Sequence, residues 1–227
     1  MSSGRRPWYA PRSTLLDNLR PHPDRDAALA RYAQLAVRYE GTTTRIRQVR
    51  QNVIDLLAPR SGETVFDVAC GAGAMLGALA SRVGPRGHVV GIEQSPEMAA
   101  LAFAAAGGAP NVQLRCDPVE SFVSPQRADA LALCYTHDVL QNPQALANLF
   151  TQARPGARVA VAGLCLLPWW GTPVNAWMLW GARRYLTTWH GLREPWAPLK
   201  AWCPDLRIVD RYHLGTGYLA MGTLSGR

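Results

Sequence analysis

The chain has 227 residues, of which 48% are hydrophobic and 18% charged, so it predicts one globular domain with a core of ordinary size and excludes intrinsic disorder. Its formal net charge is +8, with one lysine, Lys200, among 24 cations, and this excess raises the alternative of a nucleic-acid-binding protein. Five cysteines without a C-x-x-C pair indicate neither a disulfide framework nor a zinc site, and we predict no metal.

Charge and tryptophan are unevenly distributed along the chain. Residues 1–60 hold eleven arginines against five acids, 61–164 hold six against eight, and 165–227 hold seven cations against three acids. Seven of the eight tryptophans follow residue 165. We therefore predict a helical cap over 1–60, a core made of 61–164 and 205–227, and an inserted lid over 165–204. The N-terminal residues contain no apolar run of signal-peptide length, so we expect a cytoplasmic protein.

The predicted elements alternate between helix and strand. Apolar spacing predicts amphipathic helices over 24–39 and 45–58, and then strands and helices in turn. After a short buried strand in the segment that starts at Thr64, a glycine-rich turn and a helix, we predict strand 88–93, helix 96–106, strands 112–115 and 130–135, helix 142–153, and strands 157–164, 206–214 and 217–225. This order predicts an α/β fold, a Rossmann-like, doubly wound, mostly parallel seven-stranded sheet whose last strand is antiparallel.

A stretch of 24 residues, 159–182, carries no charge and is long enough to span a bilayer. Pro168 and Pro173 interrupt its middle, where a spanning helix needs continuous hydrogen bonding. We therefore favour a buried strand, a loop and an aromatic helix. Peripheral contact with a membrane stays open.

The segment from Val65 to Gly73 carries the strongest chemical signal. A strand that ends near Asp67 is followed by small residues, which allow a ligand to approach the start of the next helix. Glu93 follows about twenty positions later, where a carboxylate can accept the hydroxyls of a ribose. A dinucleotide site is the alternative, but it needs a third glycine at the position of Leu76.

Together the segments DVACGAG, GIEQSPEM, RCDPVE and RPGARVAVAG resemble the class I S-adenosylmethionine-dependent methyltransferases. The resemblance implies S-adenosyl-L-methionine as cofactor. It also implies positions for the residues that match: Asp67 near the methionine amino group, Ala69, Cys70, Gly71 and Gly73 along the methionine arm, Glu93 on the ribose, Gln94 and Met98 beside the adenine, and Asp117 with the backbone at Pro118 on its amino edge.

The turn after the fourth strand, from Tyr135 to Asp138, lies beside the reactive methyl group in that family. His137 is its one base near neutral pH and our leading catalytic candidate, with Tyr135 at the junction of cofactor and acceptor. Thr136 and Asp138 are candidate substrate contacts. The alternative is that His137 and Asp138 only cap the helix that begins near Asn142.

Two further sets of aromatic residues are candidates. Tyr39, beside Glu40, is a second catalytic candidate, with helix packing as its alternative. Trp177, Trp180 and Tyr185 in the lid are candidates for the walls of an acceptor pocket, because aromatic faces attract a sulfonium cation. Tryptophans that face lipid or form a dimer are the alternative.

The sequence thus predicts a methyltransferase that acts on a small, largely apolar molecule in bacterial specialised metabolism. One alternative uses the aminocarboxypropyl arm of the same cofactor, by transfer or by cyclisation to azetidine-2-carboxylate, and releases methylthioadenosine. The others are a cofactor-binding protein without catalysis and a basic nucleic-acid-binding protein. We predict no specific nucleic-acid partner, and a homodimer stays open.

Overall fold

A computed structural model describes residues 22–36 and 46–226. Two helices precede the sheet, α1 at Arg25–Ala36 and α2 at Arg47–Leu57. One side of α2 is buried along its whole length, as its apolar spacing predicts, and the helix ends at Ala58, which adopts a left-handed conformation. Of the predicted helix over 24–39, the part up to Ala36 is confirmed, and 37–45 lie outside the described residues.

The described residues form one seven-stranded sheet. In space the strands follow the order β3-β2-β1-β4-β5-β7-β6. All neighbours pair in parallel except β7, which is antiparallel to both β5 and β6. This confirms the predicted doubly wound sheet with an antiparallel last strand. The bounds are β1 Thr64–Val68, β2 His88–Ile92, β3 Val112–Arg115, β4 Ala128–Cys134, β5 Ala153–Leu164, β6 Arg207–Tyr212 and β7 Gly217–Thr223.

Helices cover both faces of the sheet, as the long apolar strands require. One apolar cluster, with Phe66 and Leu146, lies between the sheet and the helices that follow β4, and another, with Leu57 and Leu79, lies under α2 and the helix after β1. The helices after α2 are α3 Leu76–Val83, α4 Pro96–Ala106, α5 His137–Leu140, α6 Pro143–Thr151 and α7 Thr172–Ala182, with 3-10 turns at Trp169–Gly171, Ala197–Ala201 and His213–Gly215.

The lid lies between β5 and β6 and has a small apolar cluster of its own, formed by Met178, Ala182, Leu186 and Leu192. The uncharged stretch 159–182 divides into the end of β5, a 3-10 turn and α7. Within the two described ranges, no helix has both the length and the apolar character needed to cross a membrane.

The strand order reverses between β1 and β4. From β1 the chain continues to β2 and β3 on one side, whereas β4 and β5 continue on the other. Such a reversal opens a crevice at the carboxyl ends of the two central strands, which is where open α/β sheets bind ligands. The glycine-rich turn after β1 and the Tyr135 turn after β4 both lie at this crevice.

Candidate functional site

A cavity of about 860 Å³ occupies the crevice at the carboxyl ends of the parallel strands. The turns after β1, β2 and β4 form its floor, and residues of α1, α2 and the lid complete its walls. The predicted site residues that line it are Asp67, Ala69, Cys70, Gly71, Glu93, Gln94, Met98, Tyr135, Thr136, His137, Asp138, Trp177, Trp180 and Tyr185.

Asp67 is the most unusual side chain of the cavity. Its side chain is 1% exposed, and within residues 22–36 and 46–226 neither carboxylate oxygen has a hydrogen-bond partner. The pKa of Asp67 is raised to about 7, chiefly by burial. The positive charge of Arg50 lowers this pKa, and the negative charge of Glu93 raises it further. A buried carboxylate without a donor is costly unless a partner supplies positive charge or N–H groups, and an ammonium group supplies both.

Glu93 is held rigidly at the end of β2. One carboxylate oxygen accepts the backbone N–H of Gly71 at 2.9 Å, and the other accepts that of Ser95 at 2.8 Å. Burial raises the pKa of Glu93, while these hydrogen bonds act in the opposite direction. The carboxylate therefore has a fixed orientation, and each oxygen keeps a lone pair that can accept a hydroxyl group.

The turn after β1 needs backbone conformations that few residues tolerate. Ala69, Gly71 and Gly73 all have positive φ, at 51°, 56° and 77°. Gly73 does not line the cavity: a Cβ there would lie 2.9 Å from the Cα of Ala102, so this glycine allows α4 to pack closely against the turn. Ala69 and Gly71 thus face the ligand space, whereas Gly73 has a packing role.

The predicted adenine contacts divide into two groups. Gln94 and Met98 line the cavity, and the N–H of Met98 donates to the hydroxyl of Ser95 that caps α4. Asp117 and Pro118 lie outside the lining; a carboxylate oxygen of Asp117 instead accepts Nε of Arg115 at 3.1 Å. The next residues along the chain, Val119 and Glu120, line this end of the cavity.

Tyr135 and Thr136 form the end of β4 in the cavity. Tyr135 has a positive φ of 60° and forms a hydrogen bond with the phenol of Tyr212, and burial raises the pKa of Tyr135 to about 12. The hydroxyl of Thr136 is buried without a hydrogen-bond partner among the described residues. The Tyr135 phenol is therefore uncharged at neutral pH, and the Thr136 hydroxyl can still form a hydrogen bond with a ligand.

His137 is buried and has two different ring nitrogens. Nε2 lies 3.0 Å from the carbonyl oxygen of His190 in the lid. Because a carbonyl can only accept, this contact assigns the proton of the neutral ring to Nε2 and leaves a lone pair on Nδ1. Nδ1 is buried, and no residue in the described part of the chain bonds to it. Burial lowers the pKa of His137 to about 4, so the ring is uncharged at neutral pH.

The alternative role of His137 and Asp138 as caps of the next helix is wrong. Asn142 caps α6 itself, since its side-chain oxygen accepts the N–H groups of Gln144 and Ala145. His137 begins a separate short helix, α5, which the sequence analysis did not predict.

Asp138 fastens the lid to the sheet. Its carboxylate accepts the N–H of Thr187 at 3.1 Å, the hydroxyl of Thr187, and the N–H of Thr188 at 3.4 Å. The Thr187 hydroxyl in turn accepts the N–H of Asp24 at the start of α1. Gln141, one turn beyond His137, donates to the carbonyl of Pro195 at 3.1 Å. Asp138 is thus a structural link between α5, the lid and α1.

The three aromatic lid side chains predicted from the sequence lie at the rim of the cavity and not in its interior. Trp177 and Trp180 line the opening but remain largely exposed, and Tyr185 is also exposed. Tyr39 lies outside the described residues. Several lining residues were missed by the sequence analysis, among them Arg50, Tyr32 and Tyr218.

Arg50 left a signal in the sequence. It precedes the buried residues Ile54 and Leu57 by four and seven positions, so it is a cation on the buried side of α2. Tyr218 lies in β7, whose place beside β5 depends on pairing across about fifty residues.

The fold and site define a Rossmann-like methyltransferase architecture, and the comparisons agree. Residues 59–185 match the family model described as "Methyltransferase domain". The chain therefore belongs to the S-adenosylmethionine-dependent methyltransferase family, whose cofactor is S-adenosyl-L-methionine.

Curated relatives match parts of the chain. Nocamycin O-methyltransferase of Saccharothrix syringae is 41% identical over 87 residues, which cover 37% of this chain and 31% of that protein. The 2-phytyl-1,4-naphthoquinone methyltransferase of Thermosynechococcus vestitus is 32% identical over 114 residues, 49% of this chain and 51% of that protein. The matched part of the chain thus spans no more than about half the length of these relatives.

Solved structures share the fold at low sequence identity. The N-methyltransferase NodS of Bradyrhizobium japonicum in complex with S-adenosyl-L-homocysteine has a TM-score of 0.64 at 13% identity, and covers 88% of this chain and 100% of that one. The DhpI-SAH complex has a TM-score of 0.64 at 16% identity, with 89% and 97% covered.

Proposed function

We propose that the protein transfers the methyl group of S-adenosylmethionine to a nitrogen, oxygen or carbon of a small, largely apolar acceptor, as part of bacterial specialised metabolism. The observation that carries the proposal is the buried carboxylate of Asp67, which has no hydrogen-bond partner among the residues that the structure describes, beside the fixed carboxylate of Glu93. The names of the nocamycin and naphthoquinone methyltransferases support a small-molecule acceptor. We also propose a cytoplasmic location.

The residues of the cavity fit the cofactor group by group. Asp67 would take the ammonium of the methionine arm, with Ala69, Cys70 and Gly71 along that arm. Glu93 would accept the ribose hydroxyls, because its oxygens are already oriented by Gly71 and Ser95. Gln94 and Met98 would flank the adenine. The bound cofactor supplies an electrophilic methyl group on a sulfonium, so the protein has chiefly to align the acceptor and exclude water.

His137 would take the proton that an oxygen or nitrogen acceptor loses during transfer. No described residue bonds to its Nδ1, and the low pKa keeps the ring unprotonated there at neutral pH. The hydrogen bond from Nε2 to His190 fixes the ring and closes the lid side of the cavity. His137 therefore combines proton acceptance with attachment of the lid.

The decisive experiment identifies the purine product by mass spectrometry after incubation with S-adenosylmethionine, first alone and then with a panel of apolar phenols, quinones and amines. Acceptor-dependent S-adenosylhomocysteine supports methyl transfer. Methylthioadenosine would instead establish aminocarboxypropyl transfer, or cyclisation when it forms without an acceptor. Cofactor binding with no product from any acceptor would favour a binding protein.

The role of His137 is tested with two variants. In His137→Gln the amide nitrogen can still donate to the His190 carbonyl, whereas His137→Ala loses both functions. If Nδ1 accepts the proton, kcat falls about 100-fold or more in both variants, while the Kd for S-adenosylmethionine stays unchanged in the glutamine variant. A glutamine variant with wild-type kcat would show that His137 only positions the lid.

A further inference from the structure

The outer surface of the lid is apolar where a surface helix is normally polar. Four of the seven tryptophans of the lid are largely exposed, Trp169 at 82%, Trp170 at 62%, Trp177 at 71% and Trp180 at 68%. Single exposed apolar residues are common, but a cluster of the largest side chains marks an interaction surface. We call these four residues the aromatic face.

The four tryptophans lie in two consecutive elements of the lid. Trp177 and Trp180 are three positions apart in α7 and so lie on one side of that helix, and Trp169 and Trp170 lie in the 3-10 turn directly before it. The opposite side of α7 is buried through Met178 and Ala182, which pack in the lid cluster. One apolar side of α7 therefore packs inside the lid, and the side with Trp177 and Trp180 is exposed.

Positive charge accompanies the aromatic face. Arg183 and Arg184 are exposed at the end of α7, and the guanidinium of Arg183 lies 4.3 Å from the centre of the Trp180 ring. No acidic residue occurs between Asp138 and Glu194 in the sequence. A complementary surface offers apolar area to the tryptophans and negative charge to Arg183 and Arg184.

We propose that the aromatic face docks on the surface of an anionic phospholipid bilayer. Tryptophan rings reside in the interfacial zone of a bilayer, and arginines beside them attract acidic headgroups. A single-stranded nucleic acid would need a groove that follows its backbone with several cations, whereas the aromatic face lies on the outer side of one helix. Because Trp177 and Trp180 also form the cavity rim, docking brings the cavity opening to the membrane surface.

Vesicle flotation with the full chain tests the proposal directly. One set of vesicles contains phosphatidylcholine with phosphatidylglycerol, and a second set contains phosphatidylcholine alone. We expect binding to the first set, a blue shift of tryptophan emission on binding, and loss of most binding at high salt because acidic headgroups are screened. Equal binding to both sets, or none to either, would overturn the proposal.

Variants locate the surface without touching the cavity. Trp169→Ser/Trp170→Ser removes two residues that do not line it, and we expect vesicle partitioning to fall about tenfold or more, since binding scales with buried apolar area. Phe103→Ser removes a ring of similar exposure on α4 and should leave partitioning unchanged. Thermal melting and S-adenosylmethionine binding confirm that each variant is folded.

Three results would refute docking at this face. The first is an equal loss of vesicle partitioning in the tryptophan and Phe103→Ser variants, and the second is salt-resistant binding to a single-stranded oligonucleotide in place of vesicles. The third is a wild-type protein that binds no vesicles and forms a dimer in ultracentrifugation, which the tryptophan variant converts to monomer. None of them depends on methyltransferase activity, so the outcome is independent of the proposed function.

Discussion

Replacing Asp67 by asparagine should stabilise the cofactor-free protein and weaken cofactor binding at the same time. The carboxylate is buried, no donor from the described ranges reaches it, and burial raises its pKa from 3.8 to about 7. In the unfolded chain the same group ionises near its ordinary pKa. Folding at alkaline pH therefore carries the cost of burying a charge, and an amide of the same shape avoids that cost.

The magnitude follows from the shift in pKa. A difference of about three units corresponds to about 4 kcal/mol of unfolding free energy above pH 7, at roughly 1.4 kcal/mol per unit. The folded state binds the proton more tightly, so this contribution to stability is present below the unfolded pKa and is lost as pH rises to about 7. We therefore expect Asp67→Asn to gain about 4 kcal/mol over wild type at pH 8 and about 2 kcal/mol at pH 5.

Urea unfolding of the cofactor-free proteins at both pH values measures the gain. Asp55→Asn is the matched control, because Asp55 is exposed and pairs with Arg82, which lowers its pKa. This control should lose a little stability instead of gaining it. A wild-type protein as stable at pH 8 as Asp67→Asn would show that the carboxylate is not desolvated as the structure implies.

Calorimetry measures the effect on binding. We expect the Kd for S-adenosylmethionine to rise about 100-fold in Asp67→Asn, because a buried charge loses its partner. In wild type the affinity should increase with pH up to about 7, where Asp67 becomes ionised. Unchanged affinity in the variant would refute the contact with the ammonium group.

Two substitutions test the lid and the turn. Asp138→Asn removes a charged acceptor for Thr187 and should cost about 1–3 kcal/mol of stability. Proteolysis within 165–204 should become faster in this variant. An unchanged proteolysis rate would contradict the attachment of the lid through Asp138. Gly73→Ala places a Cβ 2.9 Å from the Cα of Ala102 at a φ of 77° and should lower the melting temperature. Gly62→Ala, also at positive φ but in open space, is its control and should be milder.

The parts of the fold that depend on local patterns were predictable from the sequence. The strand at Val112–Arg115 and the helix at Pro96–Ala106 have the predicted bounds. Glu93 was predicted from its spacing of about twenty positions after the glycine-rich turn, and Asp67 from the family resemblance; both line the cavity. These features depend on residues close together in the chain.

The parts that depend on distant contacts were not predictable. Asp138 and His137 bond to lid residues about fifty positions away, so neither role had a local signature. Asp117 matched a family pattern, but it pairs with Arg115 and lies outside the cavity lining. The sequence left open whether Trp177 and Trp180 line a pocket or face outward, and the structure shows both rings largely exposed at the cavity opening.

The attachment of the lid through α5 has a consequence for changing what the protein accepts. The lid packs around its own small cluster and is tied to the sheet by side chains of His137, Asp138 and Gln141. A lid exchanged between homologous proteins would therefore need the segment 136–141 to be exchanged with it. Moved together, the two segments would keep the hydrogen bonds that join them, while Asp67 and Glu93 stay in place.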